Sequence, residues 1–243
     1  MALPYADDTA IRRARRLLEP LARYHRFTVQ GIEHIPREGP CLVVVHHTLA
    51  TYDGFLIGAA IYEHTGRIPV ALGDDRIFQL GPLGDLARAI GIVPASPTAG
   101  EAALRAGQVL CVAPGGMWEG LRSRDQRRQS RWENRRGFAR LALRTGAPIV
   151  CAACPAGDDI YTVYPSWITD AVYRRSHWPV PLLRGRGPTL IPRAVKLTGY
   201  YAPPIVPPPY DPANDPANED AQIDALKAEA ERSMAVLLQM ADV

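Results

Sequence analysis

The sequence predicts an α/β fold, a central and mostly parallel sheet flanked by helices, with an N-terminal amphipathic helix and a C-terminal helix. Three observations carry this. The apolar runs Leu42–Val45, Val109–Ala113 and Pro148–Ala152 have the length and composition of strands buried on both faces. Segments with helical apolar spacing alternate with them, the rhythm of parallel βα units. Each run also stops at a loop carrying polar or glycine-rich chemistry, and in such sheets ligands collect at the carboxyl ends of strands.

The first run leads into the segment on which the chain turns. His46 and His47 stand where the strand should end, and Asp53 follows His47 after five intervening residues. From Tyr52 the pattern becomes helical through about Glu63, so His47 falls in a strand-to-helix loop and Asp53 in the first helical turn, where a carboxylate suits the macrodipole. A histidine with a nearby aspartate at such a point has the makings of a general base and its partner. The bland alternative is a loop histidine bonded to backbone and a capping aspartate.

The remaining elements follow in order. Residues 8–25 read as an amphipathic helix, with Ile11, Ala14, Leu17, Leu18, Leu21 and Ala22 in one stripe and five arginines mainly elsewhere. That pattern suits either a packing helix with a basic outer face or one lying on anionic headgroups. Phe27–Gly31 reads as a short strand and Pro36–Pro40 as a turn. Ile68–Leu72 is a strand, Asp85–Ile90 a helix after a loop from Arg76, Gly91–Pro94 an extended piece, and Thr98–Ala106 a helix closed by Gly107. The second apolar run ends in Pro114-Gly115-Gly116, and Met117–Ser123 reads as a loop holding Glu119 and Arg122. An arginine-dense stretch follows, sharing a helix over Asn134–Arg144. Beyond the third run, residues 155–193 mix Tyr161, Tyr164, Trp167, Tyr173 and Trp178 with arginines, a composition of membrane-interface surfaces or of an irregular excursion. Ala194–Gly199 reads as a final strand, Pro203–Pro216 as a proline-rich connector, and Glu219 to about Met240 as a helix.

With 243 residues and 47% hydrophobic content the chain can build a proper core. No internal repeat or boundary divides it. It is expected to form one domain over 1–243, with an amphipathic helix at 1–26, a core at 27–202 and a connector and helix at 203–243. A net charge of +3 makes a weak overall field. Nucleic acid is therefore not expected as a partner, although Arg124–Arg144 is where such a partner would bind. Asp7 and Asp8, followed by arginines, do not read as a secretory leader. No run has the roughly 18–20 apolar residues of a membrane span. Cys41, Cys111 and Cys151 lie in or beside apolar runs, and no second cysteine or histidine pair completes a metal site with Cys151 and Cys154. No metal and no cofactor are expected, and the compartment is expected to be reducing. An esterase of the α/β-hydrolase type would need Gly-x-Ser-x-Gly, which does not occur.

Taken together, these residues resemble the glycerolipid acyltransferase superfamily, with its lysophosphatidate acyltransferase-like fold. That family carries His-x4-Asp after the first core strand, an arginine-bearing second motif, Glu-Gly-Thr-Arg-Ser, and a proline-containing strand. Glu119-Gly120-Leu121-Arg122-Ser123 matches the third motif in four of five places, and Ala147–Val150 resembles the last. The resemblance covers roughly residues 27–202. The His-x5-Asp spacing, Pro114-Gly115-Gly116 and Arg135-Arg136-Gly137-Phe138-Ala139 are similar to the diacylglycerol acyltransferase-like branch. Around Gly91–Ala95 the second-motif arginine has no clear counterpart.

The resemblance implies transfer of a fatty acyl group from an acyl thioester, acyl-CoA or acyl carrier protein, to a hydroxyl of a glycerolipid or lysophospholipid. It implies His47 as general base, with His46 the rival, and Asp53 bonded to the other imidazole nitrogen. Backbone amides near the helix start, or of Gly115 and Gly116, would hold the oxyanion. Arg122 would clamp an anion and Glu119 would orient that arginine or an acceptor hydroxyl. Gly120, Ser123, Arg135 and Arg136 are also implied at the substrate. The expected place is cytoplasmic, peripheral on the inner face of a membrane. A non-catalytic lipid-binding protein on the same scaffold is the alternative.

Overall fold

The computed structural model describes residues 7–176, 180–210 and 218–240. Asp7 caps α1 (Asp8–Tyr24) by accepting from the Thr9 amide at 2.8 Å. Then come β1 (Thr28–Gln30), β2 (Cys41–Val45), α2 (Tyr52–Thr65), β3 (Val70–Gly73), α3 (Pro82–Ala89) and β4 (Ile92–Pro94). Ser96 caps α4 (Pro97–Arg105), with proline at its first turn. β5 (Val109–Val112), α5 (Gly116–Gly120), α6 (Gly137–Thr145) and β6 (Ile149–Ala153) follow. After them come β7 (Thr162–Val163), α7 (Trp167–Ser176), β8 (Leu183–Arg184), β9 (Thr198–Tyr201) and α8 (Glu219–Leu238).

Seven strands form one sheet in the order β1-β9-β6-β2-β5-β3-β4. Every pairing in it is parallel except β6 with β9. The three apolar runs are therefore neighbours, with β2 between β6 and β5. In register, Val44 lies opposite Val112 on one side and Cys151 on the other. Because side chains alternate across a strand, β2 feeds two cores. Leu42 and Val44 join Phe138, Leu141, Ile223 and Met234 from α6 and α8. Cys41 and Val43 join Ile57 and Ile61 of α2. Burial on both faces is why β2 is a continuous apolar run, and it fixes where the chain must emerge at His46.

Four expectations shift. The last strand runs Thr198–Tyr201 rather than Ala194–Gly199, because the chain first bonds His25 through the Val195 carbonyl and the Leu197 amide. The helix expected from Asn134 begins at Gly137, behind Glu133 with φ 49°. The loop Met117–Ser123 holds the short helix α5, and the 155–193 stretch holds β7, α7 and β8. Trp178, and residues 211–217 of the proline-rich connector, lie outside the described residues. Among the described residues no helix is long and apolar enough to cross a membrane.

Candidate active site

The carboxyl ends of β2, β5 and β6, adjacent in the sheet, each deliver polar residues to one place. From β2 come His46, His47 and Thr48. From the turn after β5 come Glu119 and Arg122, and from the turn after β6 come Gly157 and Asp158.

Glu119 is wholly buried, and both of its oxygens are occupied. Oε2 accepts from the His47 amide at 3.1 Å, and Oε1 accepts from the Arg131 amide at 3.0 Å. Burial alone would raise its pKa, but His46, Arg122 and the Arg131 amide hold it below the ordinary carboxylate range. Glu119 is thus an internal strut that fixes the His47 backbone, and neither oxygen is exposed at the surface.

Arg122 is 4% exposed. Its Nη2 donates to Asp158 at 2.7 Å and to the His47 carbonyl at 3.1 Å, while Nη1 lies 3.6 Å from Glu119. Nε and Nη1 are buried and make no hydrogen bond. Arg122 also lines a crevice of about 10 Å³, room for one water, with Gly120, Gly157, Arg124, Arg127 and Tyr161. Asp158 was not singled out in the sequence, yet it completes the constellation. It takes Arg122 and the Arg128 amide and stays ionised well below the usual carboxylate pKa, since these donors and His46 outweigh its burial.

His46 is 1% exposed and lies between Glu119 and Asp158, 3.6 Å from an oxygen of each. Burial depresses its proton affinity, but Asp158 and Glu119 raise it, and the net direction is upward despite Arg122. Its Nε2 lies 2.6 Å from Arg122 Nη2. Arg122, which can only donate, and Asp158, which accepts, thus both meet the ring at Nε2. Nδ1 lies buried beside Glu119 without a hydrogen-bond partner, so His46 is enclosed within the internal network.

His47 differs. Its ring is half-buried, and Nδ1 lies 2.8 Å from the Thr48 carbonyl. A carbonyl can only accept, so Nδ1 carries the proton and Nε2 the lone pair, the tautomer a base needs. Gly120 lies against this ring: a Cβ there would come within 3.2 Å of Nδ1 and 3.1 Å of the Thr48 carbonyl oxygen. Asp53 does not bond the imidazole as expected. Its Oδ1 accepts from the Thr48 hydroxyl at 2.8 Å, and its buried Oδ2 has no hydrogen-bond partner. The cause is the loop. Thr51, at φ 61° and ψ −37°, sits in a γ-turn closed by the Tyr52 amide on the Ala50 carbonyl at 2.6 Å, and this longer loop brings Thr48 to Asp53. Burial raises the Asp53 pKa, while the Thr48 hydrogen bond and the nearby His47 and His46 pull the other way without prevailing. Gly157 makes room for this carboxylate, since a Cβ there would meet Oδ2 at 2.7 Å.

Behind the site, buried His25 holds the Val195 carbonyl with Nδ1 and the Tyr52 hydroxyl with Nε2, fixing the residue next to Asp53. Burial lowers its pKa and keeps it neutral.

Other expected substrate residues lie elsewhere. The Gly116 amide donates to the Ala113 carbonyl at 2.9 Å, so it is not an oxyanion donor, and Gly115 packs on the Glu119 side chain. Arg135 is a brace on the Pro114 and Gly115 carbonyls. Arg136 pairs with Asp220 and Asp224, one turn apart on α8, because a forked guanidinium matches that spacing. Ser123 opens the turn of 124–126, its carbonyl accepting from the Gln126 amide at 2.8 Å. Among the described residues no group of three or more His, Cys, Asp or Glu could hold a metal ion.

A family model described as Acyltransferase matches residues 26–155, just over half of the chain and all of the segment from β1 to the end of β6. An uncharacterized protein of Mycobacterium tuberculosis is 32% identical over 206 residues, 78% of this chain and 56% of its own length. The bovine protein described as a DGAT1/2-independent enzyme synthesizing storage lipids is 31% identical over 129 residues, 53% of this chain and 38% of its own. The chain thus spans little more than half the length of the mycobacterial relative and well under half of the bovine one. The 1-acyl-sn-glycerophosphate acyltransferase of Thermotoga maritima shares the fold, with a TM-score of 0.50 and 15% identity over 91% of this chain and 82% of that one. The sheet, the motif order along it and the match from β1 to β6 agree, and the chain belongs to the acyltransferase family of the glycerolipid superfamily.

Proposed function

We propose that the chain is an O-acyltransferase that moves a fatty acyl group from acyl-CoA or acyl carrier protein to a hydroxyl of a glycerolipid or lysophospholipid. The observation that carries this reading is His47, a partly exposed residue whose imidazole Nδ1–H is held by the Thr48 carbonyl. Nε2 takes the acceptor hydroxyl's proton as its oxygen attacks the thioester carbonyl. The C–S bond then breaks, and the imidazolium returns the proton to the leaving thiolate, giving ester and free thiol. Asp53 stabilises the imidazolium through space and, by way of the Thr48 hydroxyl, keeps the Thr48 carbonyl aimed at Nδ1. Arg122, which lines the crevice, lends its positive charge to an anionic group of donor or acceptor that approaches the crevice mouth.

The exposed Leu80, Leu83 and Leu86 around α3, with Trp167 and Ile168 on α7, suit a peripheral position on the cytoplasmic face of a membrane. One observation favours a second reading, lipid binding without catalysis: Asp53 makes no hydrogen bond to the imidazole.

The experiment that decides is incubation with labelled acyl-CoA and a mixed lipid acceptor pool, with products identified by mass. A labelled ester formed by the native chain and lost in His47→Ala is the expected result. No ester from any acceptor, with lipid still bound, would leave the non-catalytic reading.

A further inference from the structure

Away from the three strand ends, a groove of about 720 Å³ opens between α1 and α2, beside β1. Its floor is apolar, built by Leu18, Ala22, Phe27, Val29, Ile32 and Leu56. Its charged lining is Arg12, Arg15, Arg16 and Glu19 of α1 with Glu63 of α2, three arginines against two carboxylates.

These charges do not cancel. Arg15 reaches across to Glu63 of α2 at 2.8 Å, and Glu19 pairs with Arg23. Arg12 has only a 3.4 Å bond to the Thr9 hydroxyl, and among the described residues Arg16 makes no hydrogen bond or ion pair. Arg12 and Arg16 are one turn apart, where like charges oppose helix formation. An anion between them removes that repulsion. The volume lies within the range of small-molecule sites, and an apolar trough with charge at one end matches a chain with a charged head.

We propose that this groove binds one long-chain anionic amphiphile, its chain along the floor and its phosphate or carboxylate between Arg12 and Arg16. None of the residues around His47 lines it. α2 carries Asp53 in its first turn and contributes to the groove only from Leu56 onward. The binding therefore does not depend on the reaction proposed above.

The test titrates the full chain by calorimetry with monomeric ligands below their micelle concentrations: a fatty acid, a lysophosphatidic acid and an uncharged monoacylglycerol of equal chain length. Both anions should bind and the monoacylglycerol at least tenfold more weakly. Each pair of added methylenes should tighten binding by about tenfold. The double variant Arg12→Glu, Arg16→Glu should weaken the anions at least tenfold, and Ala59→Trp should abolish binding by filling the groove, far-UV circular dichroism reporting whether each is folded. If Ala59→Trp fails to fold, the exposed arginine variants decide. His47→Ala should bind as the native chain does. Binding of only one anion, lost in the arginine variant, supports the site and names its head group. Equal binding by the arginine variant, loss in His47→Ala, or binding to anionic vesicles but not to monomers would overturn the proposal.

Discussion

Asp53 shows how a single residue sets stability against function. A carboxylate with an unpartnered buried oxygen is destabilising when ionised, and burial raises its pKa. Asp53→Asn keeps an acceptor for the Thr48 hydroxyl and removes the charge. It should raise Tm by about 2–4 °C for each kcal/mol gained, while lowering kcat, as calorimetry and steady-state rates will show. Gly120→Ala should act on rate alone, since the added methyl crowds the His47 ring and the Thr48 carbonyl; kcat is expected to fall at least tenfold with little change in Tm. His47, Asp53, Glu119 and Arg122 were legible as residues because each follows an apolar strand. The partner of His47 was not. Thr48 offers its carbonyl and its hydroxyl at once, and which one meets which neighbour depends on the γ-turn at Thr51, which composition does not announce.

Among the elements, α6 and α8 explain where Arg136, implied at the substrate by the resemblance, and its helical neighbours Arg140 and Arg144 go instead. Arg136, Arg140 and Arg144 follow one another at helical spacing and face Glu219, Asp220 and Asp224 on α8. A basic stripe reads as a ligand site until its acidic partner, some 80 residues later, is known to pack beside it. Arg136→Ala should leave kcat/KM for acyl transfer unchanged, and a drop of tenfold or more would return it to the site. Strands were legible where both faces are buried, as in β2, β5 and β6. β9 was misplaced because Ala194–Leu197 is just as apolar but is spent on His25.

For the whole molecule, three adjacent strand ends converge on one buried network of Glu119, Arg122, Asp158 and His46, and its charges set the acid response. Glu119 and Asp158 bind protons more weakly folded than unfolded. Their contribution is present above the unfolded carboxylate pKa of about 4 and is lost as pH falls through the lower folded values. Stability should therefore decline below about pH 4, and Asp158→Asn should flatten that decline in denaturant titrations while reducing stability at pH 7 by about 3–5 kcal/mol, because Arg122 then stays buried without its partner. Such a network holds the His47 backbone in place through Glu119 and Arg122. The most direct check is the single-turnover rate of acyl transfer from a labelled thioester to its acceptor, native chain against His47→Ala. The account predicts a loss on the order of 10²–10⁴ with thioester binding retained, and transfer at a near-native rate would contradict it.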